Sequence, residues 1–161
     1  MAKGNRTMDA PNPPPPPSGT FQGPLHLFPV RVYYEDTDVS GMVYHANYLR
    51  WFERARSDVL RLLGIEQRAA YDEGLGNYTV AEMTIRYFAP ARLDDAVTIA
   101  TTALELGAAS VRLRQRAMRD DDLLAEAVVR VGFIAPDGRP RRQPAAWRAA
   151  FESLRSAKDA A

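Results

Sequence analysis

One long amphipathic helical pattern, placed early in the chain and flanked by strand patterns, limits the folds open to this sequence more than any other feature. Between residues 48 and 62, apolar side chains recur at steps of three and four, which is the spacing of one helix face. The apolar positions are Tyr48, Phe52, Ala55, Val59 and Leu62, and the opposite side carries Arg50, Arg54, Arg56 and Asp58. Gly64 then ends the helix, because glycine adopts the left-handed cap conformation without a side-chain clash.

Strand patterns lie on both sides of this helix. Residues 27–34 alternate apolar and polar before it, and an acid-rich turn joins them to the helix. After it, four strands are predicted over residues 78–88, 96–106, 110–118 and 123–134, followed by a short helix after Pro144. This order predicts an α+β hotdog fold, in which a long central helix is wrapped by a curved antiparallel five-stranded sheet.

The length and composition fit one domain behind a proline-rich tail. The chain has 161 residues, 46% of them hydrophobic, which suits a single sizeable core. Residues 1–24 include the run Pro13 to Pro17 and are predicted to be a disordered tail, either a solvated extension or a polyproline ligand. Residues 25–157 are predicted to form the hotdog domain.

Composition also excludes several classes of function. A formal net charge of +1 gives no global reason to expect nucleic acid as a partner. With no cysteine and only His26 and His45, thiol nucleophiles are excluded and a zinc or iron site is not expected. No apolar run is long enough for a membrane-spanning helix, and no secretory signal is recognisable, so a cytoplasmic location is expected.

The sequence around the acid-rich turn carries a family resemblance. Residues 30–38 (VRVYYEDTD), 41–48 (GMVYHANY), 52–56 (FERAR) and 83–95 (MTIRYFAPARLDD) resemble the YbgC-like acyl-CoA thioesterases, in the 4-hydroxybenzoyl-CoA thioesterase branch of the hotdog superfamily. The resemblance covers roughly residues 28–154. It implies hydrolysis of an acyl-CoA to the free acid and coenzyme A, with no metal or redox cofactor. It also implies a homodimer or tetramer whose acyl channel lies between subunits.

The resemblance assigns the catalytic positions to the turn. Asp38 takes the place of the essential carboxylate, acting either as a general base on water or as a nucleophile. The backbone N–H of His45, at the start of the helix, takes the place of the oxyanion donor, and its side chain is a secondary contributor. Asp36 is expected to brace the turn through backbone hydrogen bonds. A triad of Ser40, His45 and Asp38 is disfavoured because the three crowd one short turn.

Gly41, Tyr44 and Asn47 are the candidate substrate-binding residues. Gly41 allows a tight turn or a close approach to ligand, whereas Tyr44 and Asn47 either line the acyl pocket or fix the turn. Five arginines are candidates for the coenzyme A phosphates or, alternatively, belong to solvated strand faces: Arg86, Arg92, Arg112, Arg114 and Arg116.

Three rival functions remain at this stage. The first is an acyl-carrier-protein or acyl-chain binding module linked to phospholipid synthesis and the Tol-Pal system. A peripheral position at the inner membrane is the alternative to a purely cytoplasmic location of the protein. The second is a hotdog dehydratase, which requires a histidine–acid pair acting on acyl carbons. The third, a nucleic-acid-binding sheet, is disfavoured by the near-neutral charge.

Overall fold

The computed structural model describes residues 11–155, in which one antiparallel sheet wraps a long helix. The strands are β1 (Thr20–Gln22), β2 (Leu25–Arg31), β3 (Asn77–Tyr87), β4 (Ala96–Leu106), β5 (Ser110–Arg119) and β6 (Asp122–Ile134). The helices are α1 (Asn47–Leu62), α2 (Gln67–Asp72) and α3 (Ala145–Glu152), and a single 3-10 turn spans Tyr34–Asp36. The α+β hotdog prediction is confirmed. No helix among the described residues is long and apolar enough to cross a membrane.

The sheet has six strands in the order β1-β2-β4-β5-β6-β3, one more than predicted. The extra strand is β1, which pairs antiparallel with β2 through a turn at Gly23 and Pro24. Gly23 has φ of +59°, a conformation that favours glycine. The ordered sheet therefore begins at Thr20, inside the segment predicted as tail. Residues 1–10 of that tail and the predicted domain end at residue 157 lie outside the described residues.

Helix α1 packs its apolar face onto the concave side of the sheet. Trp51, Phe52 and Ala55 are fully buried, and each large side chain removed from water contributes roughly 1.5–3 kcal/mol to the free energy of folding. At two positions of the helix the burial differs from the helical pattern predicted from the sequence. Leu62 is 41% exposed at the last turn, whereas Asp58, expected on the polar side, is completely buried.

Asp58 is buried because it ties the N-terminal segment to α1. Its carboxylate accepts hydrogen bonds from the Ser18 hydroxyl and the Gly19 amide, both at 2.8 Å. His26 Nε2 lies 2.8 Å from the same carboxylate, and Arg61 contributes an ion pair at 3.0 Å. Four donors thus compensate one buried charge, which is the condition under which a buried carboxylate is tolerated.

Helix α3 packs against the interior strand β4, whereas the β3 edge of the sheet is open. The predicted C-terminal helix is present as α3, where Phe151 is buried and Leu154 follows it into the same apolar cluster. By contrast, β3 forms the far edge of the sheet opposite β1, and most of its 11 residues are exposed. Its C-terminal end lies beside the start of α1, where Tyr87 contacts His45. This placement brings an open sheet edge next to the acid-rich turn.

Candidate active site

The acid-rich turn is a small loop folded back on itself ahead of α1. The Asp38 amide donates to the Met42 carbonyl and the Gly41 amide donates to the Asp38 carbonyl, both at 3.0 Å. Gly41 closes the loop with φ of +74°, so this position requires glycine for its backbone conformation. The Val43 amide then donates to the Ala91 carbonyl at 2.9 Å, which docks the loop on the segment between β3 and β4.

Asp38 presents an exposed carboxylate at this loop. Its Oδ1 accepts a hydrogen bond from the Ser40 amide at 2.8 Å and a short one from the Ser40 hydroxyl. The hydroxyl, then the amide, hold the pKa of Asp38 below its ordinary value, and the nearby His45 acts in the same direction. The carboxylate is therefore ionised throughout the neutral pH range.

Replacing Ser40 with alanine should raise the pKa of Asp38, because the largest stabilising contact of the carboxylate is removed. If Asp38 is the catalytic carboxylate that the family resemblance implies, the acid limb of the pH profile of kcat/KM should move to higher pH. The rate of the thioester hydrolysis that the resemblance implies, followed from acid to neutral pH, measures this shift. Ser153→Ala, at an exposed hydroxyl after α3, is the matched control. An unchanged acid limb in Ser40→Ala would contradict the assignment of that limb to Asp38.

Asp36 lies beneath the loop and is buried. Its Oδ2 accepts the Tyr33 amide at 2.7 Å, and its Oδ1 accepts the Asn47 side-chain amide at 2.6 Å. The Asp36 carbonyl also accepts the Tyr44 amide at 2.9 Å. Asp36 thus has the bracing contacts expected of it. The side-chain amide of Asn47, a candidate substrate-binding residue, donates to Asp36 in this brace. Of the two roles predicted for Asn47, lining the acyl pocket or fixing the turn, the structure therefore favours fixing the turn.

The first amides at the start of α1 are available as hydrogen-bond donors. The N–H groups of His45 and Ala46 have no acceptor within residues 11–155, whereas the Asn47 amide donates to Tyr44. Unpaired amides at a helix start carry the positive end of the helix dipole. This position therefore suits a negatively charged oxygen.

An apolar cavity of about 290 Å³ opens beside these amides. Its lining consists of Met42, Val43, His45, Tyr48, Tyr87, Phe88, Ala89 and Pro90. Of the candidate site residues, only His45 is part of this lining. Tyr44 is half-exposed, and its ring packs against the His45 ring at a centroid distance of 4.5 Å. The apolar walls suit a hydrocarbon group rather than a charged one.

Tyr87 was missed as a site residue by sequence reasoning. The alternation of β3 placed it on one face with Met83 and Ile85, which is typical of a core position. In the structure, its hydroxyl donates to the His45 carbonyl at 2.7 Å. The available signal was its place at the C-terminal end of the strand, where a tyrosine hydroxyl needs a polar partner.

The candidate phosphate-binding arginines are spread over the molecule. Arg116 pairs with Glu126 at 2.6 Å and Arg112 approaches Glu105 at 3.9 Å, both on the outer face of the sheet. These contacts favour the alternative in which these arginines belong to a solvated strand face. Arg92 lies closer to the loop, with a guanidinium nitrogen 3.9 Å from the position that a Cβ on Gly41 would occupy. Within residues 11–155, no group of three or more acidic or histidine side chains is placed to hold a metal ion.

Comparison with known proteins places this chain among thioesterases. The sequence profile described as "Thioesterase superfamily" matches residues 40–126. The acyl-CoA thioester hydrolase YbgC of Escherichia coli O6:H1 is 42% identical over 130 residues, which cover 80% of this chain and 96% of that protein. The acyl-CoA thioesterase YbgC of Haemophilus influenzae is 40% identical over 129 residues, covering 80% of this chain and 95% of that protein.

A solved structure gives the same result at the level of the fold. The crystal structure of a probable thioesterase from Bartonella henselae superposes with a TM-score of 0.70 and 37% sequence identity. The superposition covers 74% of this chain and 99% of that one. The similarity therefore spans nearly the whole of each relative.

Proposed function

The chain belongs to the thioesterase superfamily, and from this premise we propose that it hydrolyses the thioester of an acyl-CoA to the free acid and coenzyme A. One observation carries the proposal. The ionised Asp38 carboxylate shares a single short loop with the unpaired amides at the start of α1, and an apolar cavity opens beside them. A carboxylate, an oxyanion donor and an acyl pocket are the groups that thioester hydrolysis requires.

The reaction follows from these groups. Asp38 either takes a proton from a water molecule that attacks the thioester carbon, or attacks that carbon itself to give a mixed anhydride that water then cleaves. In both routes the C–S bond breaks, and the sulfur leaves as the thiol of coenzyme A after gaining a proton. The His45 amide donates to the oxygen that becomes negative, an interaction worth about 2.7–4 kcal/mol in comparable sites.

The other candidate residues support this arrangement. Gly41 supplies the backbone conformation that presents Asp38, and Asn47 holds the start of α1 through Asp36. Tyr44 packs against the His45 ring. The acyl group occupies the apolar cavity, so its direct contacts come from the lining residues Tyr48 and Phe88 rather than from Asn47.

The proposal is tested by measuring free-thiol release from short, long, branched and aromatic acyl-CoAs, with acyl carrier protein thioesters as a second set. Turnover of an acyl-CoA supports the proposal, and the rates rank the acyl groups. Release from acyl carrier protein thioesters alone would move the substrate class to the carrier protein. Binding of an acyl-CoA with no release from either set would overturn the hydrolase in favour of a binding module.

We also propose that the protein is a homodimer joined through β3, the open edge next to the site. β3 is long for an uncovered strand, and the apolar Val80 on it is 48% exposed. Exposed sheet edges of this kind pair with other strands. Val39, at the tip of the Asp38 loop, is fully exposed, as expected of a side chain that a second subunit covers. A tetramer would be built from such dimers.

An arginine in place of Val80 should weaken this dimer. Because the interface is symmetric, each substitution brings two added charges into one apolar contact, and we expect the dissociation constant to rise by at least about tenfold. Sedimentation velocity over a concentration series measures the change. Ala149→Arg, on the exposed side of α3, adds the same charge away from β3 and should leave the dimer intact. A dimer unchanged by Val80→Arg would exclude β3 as its interface.

A further inference from the structure

Tyr87 connects the C-terminal end of β3 to the start of α1. It is the last residue of β3, where it pairs with Ala125 of β6, and the next amide, Phe88, donates to the Leu124 carbonyl at 2.8 Å. Its side chain leaves the sheet toward α1 and donates a hydrogen bond from the hydroxyl to the His45 carbonyl at 2.7 Å. The contact joins residues 42 positions apart in sequence.

The His45 carbonyl is one end of the peptide group that includes the Ala46 amide. In a trans peptide the C=O and N–H bonds point in opposite directions within one plane, so fixing the oxygen fixes the direction of the hydrogen. No cis peptide occurs among the described residues. The Tyr87 hydroxyl therefore sets the direction in which the unpaired Ala46 N–H points, and this N–H follows directly after the His45 N–H in the chain.

The helix does not supply this restraint by itself. The Leu49 amide, which would donate to the His45 carbonyl in a regular α-helical turn, donates to Ala46 instead at 3.2 Å. The His45 carbonyl thus lies just before the regular hydrogen-bonding pattern of α1. Among the described residues, the Tyr87 hydroxyl makes the one hydrogen bond of this peptide, so without it no hydrogen bond holds the orientation of the peptide.

The ring of Tyr87 is held independently of its hydroxyl. It packs edge-on against Tyr48 at a centroid distance of 5.6 Å and against His45 at 6.4 Å. Tyr48 packs in turn on the buried Trp51 at 5.0 Å. Burial raises the pKa of Tyr87, so the hydroxyl stays protonated and remains a donor at neutral pH.

We propose that Tyr87 is a positioning residue, whose hydroxyl holds the His45–Ala46 peptide so that the Ala46 N–H, next to the His45 donor, points at the thioester oxygen. This inference rests on the proposed function. To that function it adds the group that aligns the oxyanion donors. This group is a side-chain hydroxyl at the edge of the sheet and not a residue of the helix. Preorganised donors of this kind stabilise the transition state more than the bound substrate.

Tyr87→Phe tests the inference, since it removes the hydroxyl and keeps the ring packing. We expect kcat to fall by roughly tenfold, less than the loss of a whole oxyanion donor, while KM changes by less than about twofold. Tyr71→Phe, at a 68% exposed tyrosine whose hydroxyl has no partner among the described residues, is the matched control and should behave as the parent protein. An unchanged kcat, or a rise in KM alone, would overturn the positioning role.

A second measurement does not depend on activity. In the nitrogen–proton NMR spectrum, Tyr87→Phe should shift the His45 and Ala46 amide signals and speed their hydrogen exchange, whereas Tyr71→Phe should not. Sedimentation must show the same oligomer in both variants, and dissociation in Tyr87→Phe alone would overturn the inference. If the parent protein cleaves no thioester, the proposed hydrolase fails. Unshifted amide signals would contradict the role of Tyr87 and would leave the proposed hydrolase unaffected.

Discussion

Asp38→Asn is expected to lower kcat/KM for any thioester that the protein cleaves by about three orders of magnitude. The asparagine amide has nearly the same size and shape as the carboxylate, but it neither accepts a proton from water nor attacks a carbonyl carbon. Its oxygen still accepts the Ser40 hydrogen bonds that shape the loop. Because the Asp38 carboxylate bonds only to Ser40 of its own loop among the described residues, the substitution should leave the melting temperature within about 2 °C of that of the parent.

The chain offers a closely matched control for this variant. Asp137 also starts an exposed turn, and its Oδ1 accepts the amide of Arg139, two residues on, at 3.0 Å, as Asp38 accepts that of Ser40. Asp137→Asn therefore makes the same chemical change in the same type of turn, and full activity is expected. Initial rates of thiol release at saturating and limiting substrate separate the effect on kcat from that on KM.

An Asp38→Asn protein that keeps a tenth or more of the parent rate would remove Asp38 as the catalytic group. In that case, with thioester hydrolysis still observed in the parent, catalysis would rest on the oxyanion donors and the cavity alone. A variant that loses activity together with its melting transition would instead assign Asp38 a structural role. The pairing of activity and melting measurements distinguishes these results.

Periodicity alone predicted much of the fold. The strand predicted over residues 96–106 is observed as β4 (Ala96–Leu106), because its alternation on a half-buried face is regular and a glycine follows it. β1 was missed because it has three residues, too few to show alternation, and because it follows a proline run. α2 (Gln67–Asp72) was missed for a similar reason, since six residues contain fewer than two helical turns.

The site was predictable only in part. The resemblance placed Asp38 and His45 in the turn; in the structure His45 lines the apolar cavity, whereas Asp38 lies on the same loop and is not part of the lining. The role of Tyr87 depends on the register between β3 and β6, which decides where the strand ends relative to α1. Register is a long-range property, so no local pattern around Tyr87 reports it. The residues that line the apolar cavity could not be predicted for the same reason, because the fold brings them together from separate parts of the sequence.

Asp58 shows why a helical wheel misassigns a charged residue. Placed opposite the apolar stripe, it was predicted to be solvent-facing, yet the N-terminal segment folds over it and supplies donors from Ser18 and Gly19. A wheel describes only the helix and not the chain that covers it. The two residues that reach Asp58 lie 40 and 39 positions earlier in the sequence.

Asp58→Ala is expected to cost about 3 kcal/mol of the free energy of unfolding, the largest stability loss among the single substitutions considered. The change leaves the Gly19 amide and the buried His26 ring without their acceptor. Urea unfolding at one fixed protein concentration measures it, because a dimer's stability depends on concentration. Asp72→Ala is the control: Asp72 is an exposed helix aspartate with one loose ion pair, and its loss should cost less than about 0.5 kcal/mol.

The dependence of stability on pH gives a second, independent test of the same contact. Burial by itself raises the pKa of Asp58, but the hydrogen bonds from His26, Gly19 and Ser18 outweigh it and leave the pKa below its ordinary value. A carboxyl with a lowered pKa in the folded state stabilises the protein above its unfolded pKa, and that stabilisation is lost as pH falls through the folded value. Asp58→Ala should therefore lose less stability than the parent between neutral and acid pH. Equal acid sensitivity in the two proteins would show that Asp58 does not hold the N-terminal segment through its charge.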